Sequence, residues 1–165
     1  MSSLLASRLP DFSSTSIDEL AQEDVQRALQ EDAGSGDLTA ALVPADARST
    51  ARVLLRESAT LCGVPWVEAV IQTLDPKASI RWLRAEGERC QPGDLVLELH
   101  GRAQALLTGE RTALNFLQLL SAVATLTAAY VEAVNGTRAR IVDTRARRCP
   151  AFASRRSTPS ERAAA

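Results

Sequence analysis

Histidine and lysine occur once each, at His100 and Lys77, and the three cysteines, Cys62, Cys90 and Cys149, stand far apart with no C-x-x-C pair. A structural zinc site needs four such ligands at close spacing, and a disulfide framework needs an even, clustered set, so the sequence argues against both and for a reducing cytoplasm. The first residues, MSSLLASRLPDFSS, lack a basic segment followed by an apolar core and a small-residue cleavage site, so export is not expected. Charge of one sign is also missing. A formal net charge of -1 over 165 residues offers no general attraction to nucleic acid or to an anionic membrane. What is present, 45% hydrophobic residues, is enough for one domain of ordinary stability and the beginning of a second.

Residues 1–15 are polar and Ser-rich and read as a loose N-terminus. Ser16 followed by Asp18 and Glu19 then reads as a helix N-cap with an acidic first turn, opening a helix to about Leu29. In EDAGSGDLTAALVPADA, Gly34 and Gly36 break that helix, and Asp37 and Thr39 suit a capped, tight loop. ARVLLRES has strand composition, Pro65 fits the first turn of a second helix, and Asp75-Pro76 ends it. Ile80 to Arg84 and Asp94 to Leu99 read as strands joined by a turn around Pro92-Gly93. That order predicts an α+β sandwich rather than a βαβ array.

From Ala103 to about Asn135 the composition is helical, and residues 112–131 carry no charge. The length raises the question of a membrane span, but Thr112, Asn115, Gln118, Ser121, Thr125 and Thr127 are too many polar groups for one, so a helix, or two in series, buried between protein surfaces is expected. Asn135-Gly136 ends it, and residues 139–145 read as a strand with polar residues at its exit. The arginine-rich, Ser/Pro/Ala tail at 146–165 holds too little apolar surface to offset the entropy of ordering it.

Two places could carry chemistry. On the helical period Thr108, Arg111, Thr112, Asn115 and Gln118 share one side, and Leu106, Ala113, Leu117 and Leu120 another. Arg111 is then the one charge near the start of a neutral polar stripe, where a guanidinium could bind a carboxylate or phosphate bidentately; an ordinary helix surface, with Arg111 solvated or paired to Glu110, is the competing reading. Asp143, Thr144 and Arg145 at a strand exit form the second place, with a plain turn as the competitor. His100 has no carboxylate or thiol at ligand spacing and reads as a surface or satisfied histidine. Glu31, Asp32 and Asp37 lack the alternation of a calcium loop and read as capping residues.

EDAGSGDLTAALVPADA, LCGVPWVEAV, the run from EGERCQPGD through GERTALNFLQ to ATLT, and IVDTR together closely resemble the quinolinate phosphoribosyltransferases, also called carboxylating nicotinate-nucleotide pyrophosphorylases, over residues 20 to 145. The resemblance implies an N-terminal open-faced α/β sandwich over residues 16–110, linking helices and the first strand of an α/β barrel over 111–145, and a homodimer in which the sandwich of one subunit caps the barrel of the other. It implies condensation of quinolinate with phosphoribosyl pyrophosphate, with Mg2+, giving nicotinate mononucleotide, CO2 and pyrophosphate in NAD biosynthesis. On matching positions it implies that Arg111 reaches the quinolinate carboxylates in the partner's site and that Thr144 and Arg145 bind substrate, while the catalytic residues belong to the barrel.

The chain departs from the family at one point. The family continues D-T-R with a Lys, a Thr and a Pro-Gly pair, whereas Ala146 stands here. Back-translating residues 146–159 with GC-rich codons and reading a neighbouring frame recovers K-T-L-P-G-L-R-L-A-Q-K-Y-A, so the rest of the barrel is expected to be missing through a frameshift and the chain as it stands to be inactive. Two rivals carry less: a molybdenum-transport-associated relative of the same fold, and a non-catalytic carrier module whose hairpin GERCQPGDLVLEL resembles lipoyl domains. The second would need a lysine in that hairpin, and Lys77 precedes it.

Overall fold

The computed structural model describes residues 16–33 and 40–142. Its first helix, α1 (Ile17–Ala33), opens with a reciprocal cap: the Glu19 N–H donates to the Ser16 hydroxyl at 3.1 Å, and the Ser16 N–H donates to the Glu19 carboxylate at 2.9 Å. Leu20, Ala21, Val25 and Leu29 turn inward. The helix runs one turn beyond Leu29 because nothing in Gln30 to Ala33 opposes it before Gly34. Gly34, Gly36, Asp37 and Thr39 lie outside the described residues, as do residues 1–15.

A short 3-10 turn (Ala40–Leu42) leads to β1 (Arg48–Leu54), and β2 (Ala59–Thr60), α2 (Val64–Leu74), β3 (Ser79–Trp82), β4 (Arg89–Cys90), β5 (Leu95–Arg102) and α3 (Ala103–Ala133) follow. Strands β1, β5 and β3 form an antiparallel sheet in that order, with Thr50 opposite His100, Arg52 opposite Glu98 and Ile80 opposite Leu99. Side chains alternate across a strand, so Ala51, Val53, Ile80, Trp82, Leu97 and Leu99 pack toward the helices while Arg48, Thr50, Arg52, Arg81, Glu98 and His100 face away. On that outer face Glu98 pairs with Arg52 at 3.0 Å and Arg81 at 3.5 Å, and His100 meets the Thr50 hydroxyl at 3.1 Å. The expected α+β sandwich is therefore present with one open sheet face, and His100 is a satisfied surface histidine. The ribbon of β2 and β4 went unpredicted, since two-residue strands carry no periodicity.

Trp66 of α2 is wholly buried at the centre of the core. Its helix is entered through Gly63, whose φ of 116° only glycine adopts without strain, and the Glu86 carboxylate caps it by accepting the N–H groups of Gly63 and Val64.

Helix α3 has the length and hydropathy to cross a bilayer, but its hydroxyls are spent on its own domain. Ser121 accepts the Cys62 N–H at 3.0 Å and donates to the Cys62 carbonyl at 3.1 Å; one turn on, Thr125 accepts the Thr60 N–H at 2.8 Å. The helix thus docks an irregular strand end by side chain, where no ladder partner is in place. Each such buried bond contributes about 0.5–1.5 kcal/mol, so Ser121→Ala is expected to lower stability by about 1–3 kcal/mol in urea denaturation. Among the described residues one flank only is covered: Leu119, Val123, Leu126, Tyr130 and Val131 are exposed, so the second protein surface expected to bury the helix is not among those residues. Residues 139–142, expected to begin a barrel strand, form no regular element, for no described strand lies beside them to complete a ladder. Asp143, Thr144, Arg145 and the tail at 146–165 lie outside the described residues.

Candidate functional site

Helix α3 leaves β5 without an intervening loop, and Asp75, at the end of α2, holds that corner. Its side chain is buried, accepts the Arg102 N–H at 2.8 Å and the Lys77 N–H at 3.1 Å, and lies 3.7 Å from the Arg102 guanidinium. Gly101 leaves room beside it, for a Cβ there would lie 3.0 Å from both the carboxylate and the Ala78 side chain, a contact that one of them would have to relieve. The Arg102 N–H, first, and the Lys77 N–H and neighbouring arginines hold the Asp75 carboxyl below its ordinary value of 3.8, against the opposing effect of burial. A depressed folded-state value means stability fully present above the unfolded value and lost as pH falls through the folded one. Thermal midpoints are accordingly expected to fall below about pH 4, and Asp75→Asn, already lower at neutral pH, to show a smaller acid-induced drop.

Gly109 fixes how closely α3 approaches α2: a Cβ there would lie 2.8 Å from Leu74 Cδ1 and 3.1 Å from Val70 Cγ1. Arg111 is two residues on, about 200° around the helix, and so faces away from α2. It is exposed and makes no ion pair or hydrogen bond to any described residue, Glu110 included. Beside it Asn115 and Gln118, at i+4 and i+7, line with Leu107, Glu110 and Leu114 a shallow concavity of about 340 Å³.

The neutral stripe read from the sequence therefore divides. Arg111, Asn115 and Gln118 share one exposed face, but Thr112 is 2% exposed and donates its hydroxyl to Asp32 at 2.9 Å, tying α3 to α1. Thr108 is half-buried and already engaged. Asp32 thus ties α1 to α3 rather than capping its own loop, and the described residues contain no group of three or more His, Cys, Asp or Glu side chains placed to hold a metal ion. Thr144 and Arg145 lie outside the described residues. A larger groove of about 400 Å³, unforeseen because it arises only where two distant elements meet, opens between β1 and the other flank of α3.

This open-faced sandwich, with a long helix presenting an arginine that pairs with no described residue, matches a known protein class. Residues 37–121 fit the family model described as quinolinate phosphoribosyl transferase, N-terminal domain. The chain is 36% identical over 121 residues to a probable nicotinate-nucleotide pyrophosphorylase [carboxylating] of Synechocystis, spanning 73% of this chain and 41% of that relative. It is 38% identical over 132 residues to the nicotinate-nucleotide pyrophosphorylase [carboxylating] of Mycobacterium leprae, spanning 76% and 45%. The nicotinate-nucleotide pyrophosphorylase structure from Francisella tularensis superposes with a TM-score of 0.74 at 35% identity, over 78% of this chain and 46% of that one. The chain belongs to the quinolinate phosphoribosyl transferase family, and it spans less than half the length of these relatives.

Proposed function

We propose that this chain is the quinolinate-facing half of a phosphoribosyltransferase that joins quinolinate to phosphoribosyl pyrophosphate, releasing pyrophosphate and CO2 to give nicotinate mononucleotide. The observation that carries the reading is Arg111: exposed, making no ion pair or hydrogen bond to a described residue, and flanked by the amides of Asn115 and Gln118. A cation that the described residues leave free is poised for an anion brought from outside, and a planar guanidinium fits a carboxylate bidentately. In this reading the helix presents Arg111 to the site of a second subunit in a cytoplasmic homodimer, and the amides orient the pyridine dicarboxylate. Fixed positive charge there also stabilises the charge that develops on the ring as CO2 leaves.

Thr144 and Arg145 belong to the proposal as substrate-binding residues on the barrel side. Mg2+ enters it only as the companion of phosphoribosyl pyrophosphate; the described residues offer no donor set that fits it. The pyrophosphate-binding half of the site is assigned to the remainder of the family's length. The 165-residue chain supplied with quinolinate, phosphoribosyl pyrophosphate and Mg2+ is expected to form no nicotinate mononucleotide above background. A chain continued after Arg145 in the neighbouring frame and through a family barrel is expected to form it. Turnover by the 165-residue chain alone, or none by the folded continued chain, would refute the assignment.

A further inference from the structure

Thr112 follows Arg111 on α3 and donates its hydroxyl to Asp32, near the end of α1, at 2.9 Å. That hydroxyl had a local outlet. Thr125 and Thr127 on the same helix donate to the carbonyls four residues back, those of Ser121 at 2.7 Å and Val123 at 2.8 Å, as helical threonines commonly do. Thr112, 2% exposed, turns instead to a side chain 80 residues away.

Asp32 is equally out of keeping with its own helix. The last residues of α1 are Gln30, Glu31, Asp32 and Ala33, with no basic side chain in the turn, so two carboxylates stand where the helix dipole is negative and favours a cation. The stability of α1 by itself selects against an acid there, and the bond that compensates Asp32 lies on α3, one residue from Arg111. Local rules are broken in this way where a nearby function is served.

The bond constrains what packing leaves loose. Gly109 sets how near α3 comes to α2, but contacts between apolar side chains are non-directional and hold a helix weakly against rotation about its axis. A hydrogen bond has a direction. Thr112 therefore fixes that rotation, and Arg111, about 100° around the helix from it, takes its bearing from the same bond.

We propose, on the reading of Arg111 as the quinolinate contact, that Asp32 is a positioning residue for the transferase reaction: by holding Thr112 it sets the rotation of α3 and aims the Arg111 guanidinium at the quinolinate carboxylates. A bidentate contact is sensitive to aim, because two N–H groups must meet two oxygens together.

A double-mutant cycle in the continued, active chain tests this, with urea denaturation of the 165-residue chain beside it. Asp32→Ala is expected to raise the quinolinate KM about tenfold, as misplacing a binding group does, while the KM for phosphoribosyl pyrophosphate stays within about twofold. Asp32→Asn, whose carbonyl still accepts the hydroxyl, should remain near the parent, and Thr112→Val, which loses the hydroxyl, should match Asp32→Ala. Added to Arg111→Ala, Asp32→Ala should change nothing further, since residues acting through one contact are not additive. The urea midpoint should hardly move, Asp32 being exposed. An unchanged quinolinate KM in Asp32→Ala, alongside a raised one in Arg111→Ala, would overturn the proposal and leave the transferase reading standing. A further rise on top of Arg111→Ala, equal rises in both KM values, an Asn variant as impaired as the Ala one, or a large loss of urea stability would overturn it too. No effect of Arg111→Ala itself would remove the transferase reading and this role of Asp32 together.

Discussion

Trp66→Ala is expected to lower the unfolding free energy by about 3–5 kcal/mol, the range for truncating a buried large aromatic in a packed core. Trp66 is 0% exposed, packs within the cluster that joins α1, α2, the sheet and α3, and donates its indole N–H to Asp24 at 3.2 Å. Truncation therefore opens a cavity within the cluster to which all three helices and the sheet contribute, and also strips a partner from the Asp24 carboxylate. Against a total of about 5–15 kcal/mol for a domain, that loss approaches global unfolding. Urea denaturation followed by circular dichroism measures it directly, and Trp66→Phe, which keeps most of the volume but not the N–H, should recover more than half. A loss under about 1 kcal/mol would mean that the core closes around the gap, contrary to the close packing of protein interiors.

Arg111→Ala should do the reverse, sparing stability and removing binding. In the continued, active chain the loss of a bidentate carboxylate contact in a desolvated site is expected to cost about 2–5 kcal/mol, roughly 30-fold to several thousandfold, in quinolinate KM. The KM for phosphoribosyl pyrophosphate should move far less, because the proposed contact is to the dicarboxylate. Arg111→Lys should restore only part of the loss, since an ammonium lacks the planar fork. Because Arg111 is exposed and touches no described charged partner, its replacement in the 165-residue chain should change stability by less than about 0.5 kcal/mol. An unchanged quinolinate KM would make it an ordinary surface residue; a large loss of stability would make it a structural one.

Much of the fold was legible because it is local. The Ser16 cap, the proline at the start of α2, the strand composition of β5 and the long helical run of α3 are each local properties, which residue type and spacing alone specify. The exposed place of Arg111 on α3 was legible through the helical period, and GERTALNFLQ carries the proposal of its role. The division of the polar stripe was not. Thr112 and Arg111 are adjacent in sequence and both polar, and nothing in their spacing says that Asp32, 80 residues away, takes the threonine hydroxyl.

The same holds for Asp75, Glu86 and Ser121, each of which satisfies backbone groups 22 to 59 residues distant. The chain's composition and periodicities by themselves determined an α+β sandwich, a long uncharged helix and a lone cation at its start. Tertiary structure alone decided which hydroxyls serve the core, which flank of α3 stays open and where a groove lies beside β1. The physical reason is that hydrophobic periodicity reports which face of an element turns inward, whereas a polar group's partner is set by whichever unsatisfied donor or acceptor folding brings within about 3 Å.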